Sequence, residues 1–240
     1  VLAQQDSAEV DTSVRAEALD RLRTPLTHAS GVYSTGTGAT ADSLLIRNAP
    51  SEVIDTVVAE LLLRADDPHL SSGDRGEYLL AAVNLSDRIG HSMRGHFFST
   101  AIRLATSPSY SDHDELNAQF THKLGGFRMV GTPRDSRGQA VLLAAVLAKD
   151  EDQRDRVRRL AYSLLGQESD YWPTRALQHL GDAIKDDLAF LATQGWALRS
   201  LAAISWVEHG QPEHLGTRFA ADPDVRVRRA LAGALAGQSL

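Results

Sequence analysis

Apolar residues recur at three- and four-residue spacing along most of this chain, in runs bounded by Gly, Pro or Asp. That is the period of a helix buried along one face. Alternating Val, Ile, Thr and aromatic positions, which mark strands, are almost missing. The pattern predicts a first helix over about 12–22, with Val14, Ala18 and Leu22 inward and Pro25 ending it. Ser30 to Thr40 reads as a Gly/Ser/Thr loop, followed by a short helix at 41–48. A further helix starts after Pro50, with Ser51 as N-cap and Val53, Ile54, Val57, Val58, Leu61 and Leu62 as its buried stripe.

Asp66-Asp67-Pro68 breaks the chain. Tyr78 to Ile89 and Met93 to Ala105 then form two helices, with Gly90 suited to the helix end between them. Asp114 to Leu124 is helical in pattern. Gly125-Gly126, Gly131 and Pro133 punctuate the next stretch and place a subdomain boundary near 125–135. Beyond it helices are expected at about 136–148, 152–165, 173–181, 185–192, 195–208, 213–220 and 224–236, broken by Gly166, Pro173, Gly181, Gly195, Gly210, Pro212 and Pro223. Short breaks between amphipathic helices predict antiparallel neighbours. The fold class is therefore all-α, a single helical domain over 1–240.

Asp222-Pro223-Asp224-Val225-Arg226-Val227-Arg228-Arg229-Ala230-Leu231-Ala232-Gly233-Ala234-Leu235-Ala236 is the most regular segment. Asp222 is placed to cap the helix and Pro223 suits its first turn. Val227, Leu231 and Leu235 form one stripe, and Ala230 and Ala234 allow close approach. The segment resembles the second helix of a HEAT repeat, in which an Asp-containing turn leads into a Val-Arg pair. Asp11 to Leu19 repeats the pattern, with weaker echoes at Ser136 to Ala144 and Gln194 to Ala202; Val225 follows Trp196 by 29 residues. The resemblance implies a HEAT-like right-handed α-solenoid of antiparallel helix pairs. It is strongest over 136–236, with irregular packing expected in the N-terminal half because of its Gly-rich interruptions. Such solenoids present extended surfaces to partners, so the function implied is a non-enzymatic scaffold or protein-interaction module, its partner a protein or another domain of its parent chain.

Composition narrows the alternatives. The chain is 42% hydrophobic and 23% charged, the balance of a globular protein. The longest apolar run, Ala140 to Ala148, is too short to span a bilayer, so no membrane partner is expected. No cysteine is present, which excludes disulfides and thiolate chemistry. The chain opens on Val1 rather than Met and shows no signal peptide, which fits a processed product or a segment of a larger protein and points to the cytoplasm. Only three of the 25 basic residues are Lys, the usage of a GC-rich, bacterial-type host.

Residues 1–120 carry 17 acidic and 9 basic side chains, and residues 121–240 carry 14 and 16. This net charge disfavours a general nucleic-acid binder. The C-terminal arginines are the exception. Arg154 and Arg158 on one helix, Arg199 on another, and Arg226 and Arg229 on a third are the candidate partner-binding residues, a basic groove if the helices line one face. Acidic residues interleaved with the first group, Asp150 to Asp152 and Asp155, make ion pairs on a solvated face the simpler reading.

The remaining polar groups are weaker signals. Asp112-His113-Asp114-Glu115 could offer metal ligands, but acidic residues at a helix start are favoured without any metal. His91 and His96 lack the spacing of a helical zinc site. Gly36-Thr37-Gly38 has neither the lysine nor the preceding strand of a P-loop. Asp170 with Trp172 gives a second candidate cleft, because HEAT-like alkylpurine glycosylases handle bases with an Asp and aromatics; a nucleic-acid-binding or base-repair protein is the alternative function. Trp196 and Trp206 read as buried solenoid tryptophans. No catalytic residue, metal site or cofactor is assigned.

Overall fold

The computed structural model describes residues 2–23, 38–70, 72–107, 136–165, 171–209 and 213–238. Every regular element among them is helical, as the period of the apolar positions requires. None of these helices is long and apolar enough to cross a membrane. Asp112 to Glu115, Gly31 to Thr37, Asp170 and the stretch near 125–135 lie outside the described residues.

The chain divides into two compact units, Val1–Leu147 and Ala148–Leu240. The first holds α1 (Leu2–Arg23), α2 (Ala39–Ile46), α3 (Ser51–Ala65), α4 (Ser72–Leu85), α5 (His91–Thr106) and α6 (Ser136–Leu147), with a 3-10 turn at Ser86–Arg88 after α4. Its helices contact in pairs, α1 with α2, α3 with α4 and α5 with α6. The pairs are stitched in two rows: α2, α4 and α6 pack in succession, as do α1, α3 and α5. Helix α6 packs with both α4 and α5.

The predicted stripe of α3 is buried at Ile54, Val57, Val58, Leu61 and Leu62, with Val53 partly open. These side chains remove most of their apolar surface from water, each contributing about 1.5–3 kcal/mol. One local expectation changes. Ser51 is the first helical residue, not the cap. Pro50 holds that place, at φ −55° and ψ 149°, and its carbonyl accepts the N–H of Val53 and Ile54. Gly90 lies at a helix end as expected, as the N-cap of α5, and is required there for close approach. Its φ is −58° and its N–H donates to Asp55 Oδ1 at 2.8 Å. A Cβ there would sit 2.6 Å from Asp55 Oδ2.

Polar links fix the register of the pairs. Arg21 donates to both carboxylate oxygens of buried Asp42 at 3.0 and 2.7 Å, tying α1 to α2. Asn84 of α4 donates to Ser43 Oγ of α2 at 3.1 Å. Arg94 donates to the carbonyls of Ser86, Val146 and Leu147, satisfying the C-terminal end of α6, whose last carbonyls have no partner within the helix.

The second unit holds α7 (Glu151–Leu164), α8 (Tyr171–Leu180), a 3-10 segment (Gly181–Asp187), α9 (Leu188–Leu191), α10 (Trp196–His209), α11 (His214–Ala220) and α12 (Val225–Gln238). The α-helix expected over 185–192 is shorter: residues 185–187 close a 3-10 segment entered through Gly181 at φ +54°, and Leu188–Leu191 is α-helical. Ile184, Leu188 and Leu191 are buried. Helix α8 begins two residues before the expected start at Pro173, which still falls in its first turn, where its missing N–H costs nothing. Helices α7 and α8 pack together, α8 also meets α10, and α10 packs on both α11 and α12.

Candidate functional site

The first arginine group sits on α7. Asp150 caps this helix by accepting the N–H of Gln153 at 2.9 Å. Arg158 Nη2 donates to Asp155 Oδ1 at 2.5 Å, and Arg159 pairs with the other oxygen of Asp155 at 2.7 Å. Arg158 Nη1 also reaches Asp187 Oδ2 at 3.4 Å, the atom that accepts the Tyr162 hydroxyl at 2.7 Å. Burial and then this hydrogen bond push the Tyr162 phenol well above its ordinary pKa. Two arginines against two aspartates leave the cluster without net charge. It staples α7 to the 3-10 segment through Asp187, a link beyond the intrahelical pairs expected on this helix. Arg154 is exposed on the same helix, with no ion pair among the described residues.

The second group forms where α10 meets the turn into α12. Arg199 Nε and Nη2 grip Asp222 Oδ2 and Oδ1 at 2.8 and 3.1 Å, and its Nη1 donates to the Gln194 carbonyl at 2.7 Å. The Asp222 side chain is only 4% exposed and that of Arg199 21%. Asp222 also accepts the N–H of Asp224 at 2.9 Å. Burial raises the Asp222 pKa, but these hydrogen bonds outweigh it and the net shift is downward.

Asp222 was expected to cap α12. The cap is Asp224, which accepts the N–H of Arg226 at 2.9 Å. Asp224 also takes Arg226 Nε and Nη2 at 3.0 and 2.6 Å, and its pKa falls to about 2. Arg228 donates to the carbonyls of Asp222 and Pro223, closing the turn from the other side.

Thus held, the Arg226 guanidinium lies over the indole of Trp196, 3.8 Å from the ring centroid. Stacking of this kind is a cation–π contact worth about 0.5–1 kcal/mol at an exposed site. Trp196 is 44% exposed, so it is not the buried solenoid tryptophan expected. Trp172 is buried, with the Tyr171 ring edge-on at 4.8 Å. Trp206 lies against Gly216, where a Cβ would run into its ring. The α12 stripe buries Val227 and Leu231, while Leu235 stays 48% exposed.

Of the five candidate arginines, the structure therefore brings Arg199 and Arg226 to one aspartate-lined turn and ties Arg158 into a different cluster. Arg229 is exposed on α12 with no ion pair among the described residues. Among those residues no group of three or more His, Asp or Glu could hold a metal ion. Trp196 was missed as a platform because its partner lies 30 positions away and only folding pairs them. No protein family, characterised protein or solved structure matches this chain. The HEAT resemblance consequently stands on the residues that carry it.

Proposed function

We infer that the chain is a non-enzymatic scaffold, a HEAT-like right-handed solenoid of antiparallel helix pairs that binds another protein or another domain of its parent chain. The observation that carries this reading is the contact scheme of the first unit. Pairs α1/α2, α3/α4 and α5/α6 are joined through the rows α2–α4–α6 and α1–α3–α5, the connectivity of stacked hairpins that each bury one face on the next. Stacks of this sort leave long outer faces available to partners. An exposed tryptophan carrying an arginine is the composition of an interaction hot spot.

Arg158 and Arg199 are turned onto aspartates, which leaves fewer cations for a phosphate backbone and favours the protein-binding reading over a nucleic-acid groove. The test is affinity capture with chemical cross-linking from host lysate, using the full chain as bait. A reproducible, saturable protein partner is expected. No partner at all, together with turnover of a substrate by the purified chain, would overturn the reading.

A further inference from the structure

We propose, resting on the scaffold reading, that the Trp196–Arg226 platform with Arg229 docks an acidic peptide segment, one carrying Asp or Glu beside an apolar side chain. The platform is already organised. Asp224 holds Arg226 through Nε and Nη2, and the indole of Trp196 supports the guanidinium plane. Nη1 takes no hydrogen bond among the described residues, and the side chain is 52% exposed. A carboxylate arriving at that edge meets an arginine whose rotamer freedom has been removed beforehand, so little ordering entropy opposes the contact.

Arg229 lies three residues further along α12, on the neighbouring surface of the helix, and offers a second charge. Exposed Val225 and the uncovered part of Trp196 supply apolar area beside these charges. Sign selects the partner. At this turn Arg199 meets the Asp222 carboxylate, Arg226 meets that of Asp224 and Arg228 meets backbone carbonyls; Arg229 follows, and α12 has no acidic residue along its length. A local cationic excess in a chain of net charge −6 attracts an acidic segment selectively. The apolar half of the partner is required because Trp196 and Val225 gain only by losing water.

The test uses three fluorescein-labelled synthetic 12-residue peptides: one alternating Glu with Leu and Phe, one with Lys in place of each Glu, and one alternating Glu with Ser. A single-stranded DNA 12-mer serves as a fourth probe. Each is titrated by fluorescence anisotropy against the full chain and the Arg226→Ala, Trp196→Ala and Arg47→Ala variants, with circular dichroism verifying that each variant folds. The Glu/Leu/Phe peptide is expected to bind, to weaken tenfold or more in Arg226→Ala and in Trp196→Ala, and to be unaffected in Arg47→Ala. The Lys peptide is expected not to bind, and the Glu/Ser peptide to bind at least tenfold more weakly. Absence of binding by every peptide, equal binding by Arg226→Ala, or binding of DNA alone would overturn the proposal. A protein partner captured equally well by wild type and by the Trp196→Ala/Arg226→Ala double variant would refute this surface and leave the scaffold reading standing.

Discussion

Arg199, near the start of α10, and Asp222, in the turn before α12, form a two-pronged ion pair at 2.8 and 3.1 Å across 23 residues of chain. The carboxylate is almost fully enclosed, so the arginine is what makes its burial tolerable. Replacing Arg199 by Met leaves a buried charge without its counterion. The expected loss is about 3 kcal/mol, the low end for breaking a buried pair, because Arg199 keeps a fifth of its side-chain surface in water. Asp222→Asn alone should cost less, since the amide oxygen still accepts from the Arg199 fork. Urea unfolding followed by circular dichroism checks both. Equal stability of Arg199→Met and wild type would show the pair to be incidental.

Acid should act at the same turn. Both Asp222 and Asp224 have folded pKa values below their ordinary 3.8, and that of Asp224 lies at about 2. The unfolded chain therefore takes up these protons first as pH falls. Their stabilising contribution is complete above about pH 4 and is lost as pH drops through the folded values toward 2. The Arg226 side chain, and then its N–H, hold Asp224 down, so Arg226→Ala should move the Asp224 midpoint up toward 3.8. Carboxyl-carbon NMR titration reads this directly. An unmoved midpoint in Arg226→Ala would show that the cap N–H, not the guanidinium, sets the value.

Arg94 gives a prediction for the first unit. It donates to Ser86 O at 3.1 Å, Leu147 O at 3.2 Å and Val146 O at 2.5 Å. One cation thus joins the 3-10 turn after α4 to the end of α6, where helix carbonyls favour positive charge. Arg94→Met should destabilise the first unit by about 2–3 kcal/mol, the range for hydrogen bonds to a charged group left unreplaced. Arg94→Lys should fall between, since a single ammonium cannot span three carbonyls in two elements. Thermal unfolding of the two variants beside wild type measures the order.

What the sequence made legible was the helical period and the inward stripes. Ile54, Val57, Val58, Leu61 and Leu62 were identified from spacing and are buried. So were Val227 and Leu231. Apolar burial depends on local periodicity, which is written along the chain. The long-range polar partners were not legible. Nothing in the spacing of Asp222 shows that it faces Arg199 instead of capping its own helix, because two aspartates two residues apart can each fill the cap. Leu235 completes the stripe in sequence yet remains exposed, since periodicity says which way a side chain points from its helix and not whether another element covers it. The platform of Trp196 and Arg226 depends on how α10 and α12 dock, which no local pattern encodes.

Gly76 and Gln139 supply a coupled pair where α4 packs on α6. Gln139 is buried and its Oε1 has no hydrogen-bond partner among the described residues. A Cβ added at Gly76 would run into that carboxamide. Two effects oppose each other in Gly76→Ala. Replacing a helical glycine favours the helix by about 1 kcal/mol. Overpacking a closed seam costs about 1–3 kcal/mol. Because the carboxamide is enclosed and cannot swing into solvent, overpacking should win and the single variant should be less stable than wild type. Gln139→Ala removes both the obstruction and the unpartnered acceptor. In that background Gly76→Ala should become stabilising, with a coupling between the two sites of about 1–3 kcal/mol. A double-mutant cycle by urea unfolding decides it. Strict additivity would mean that the seam relaxes around the added methyl group and that Gly76 is not there for close approach.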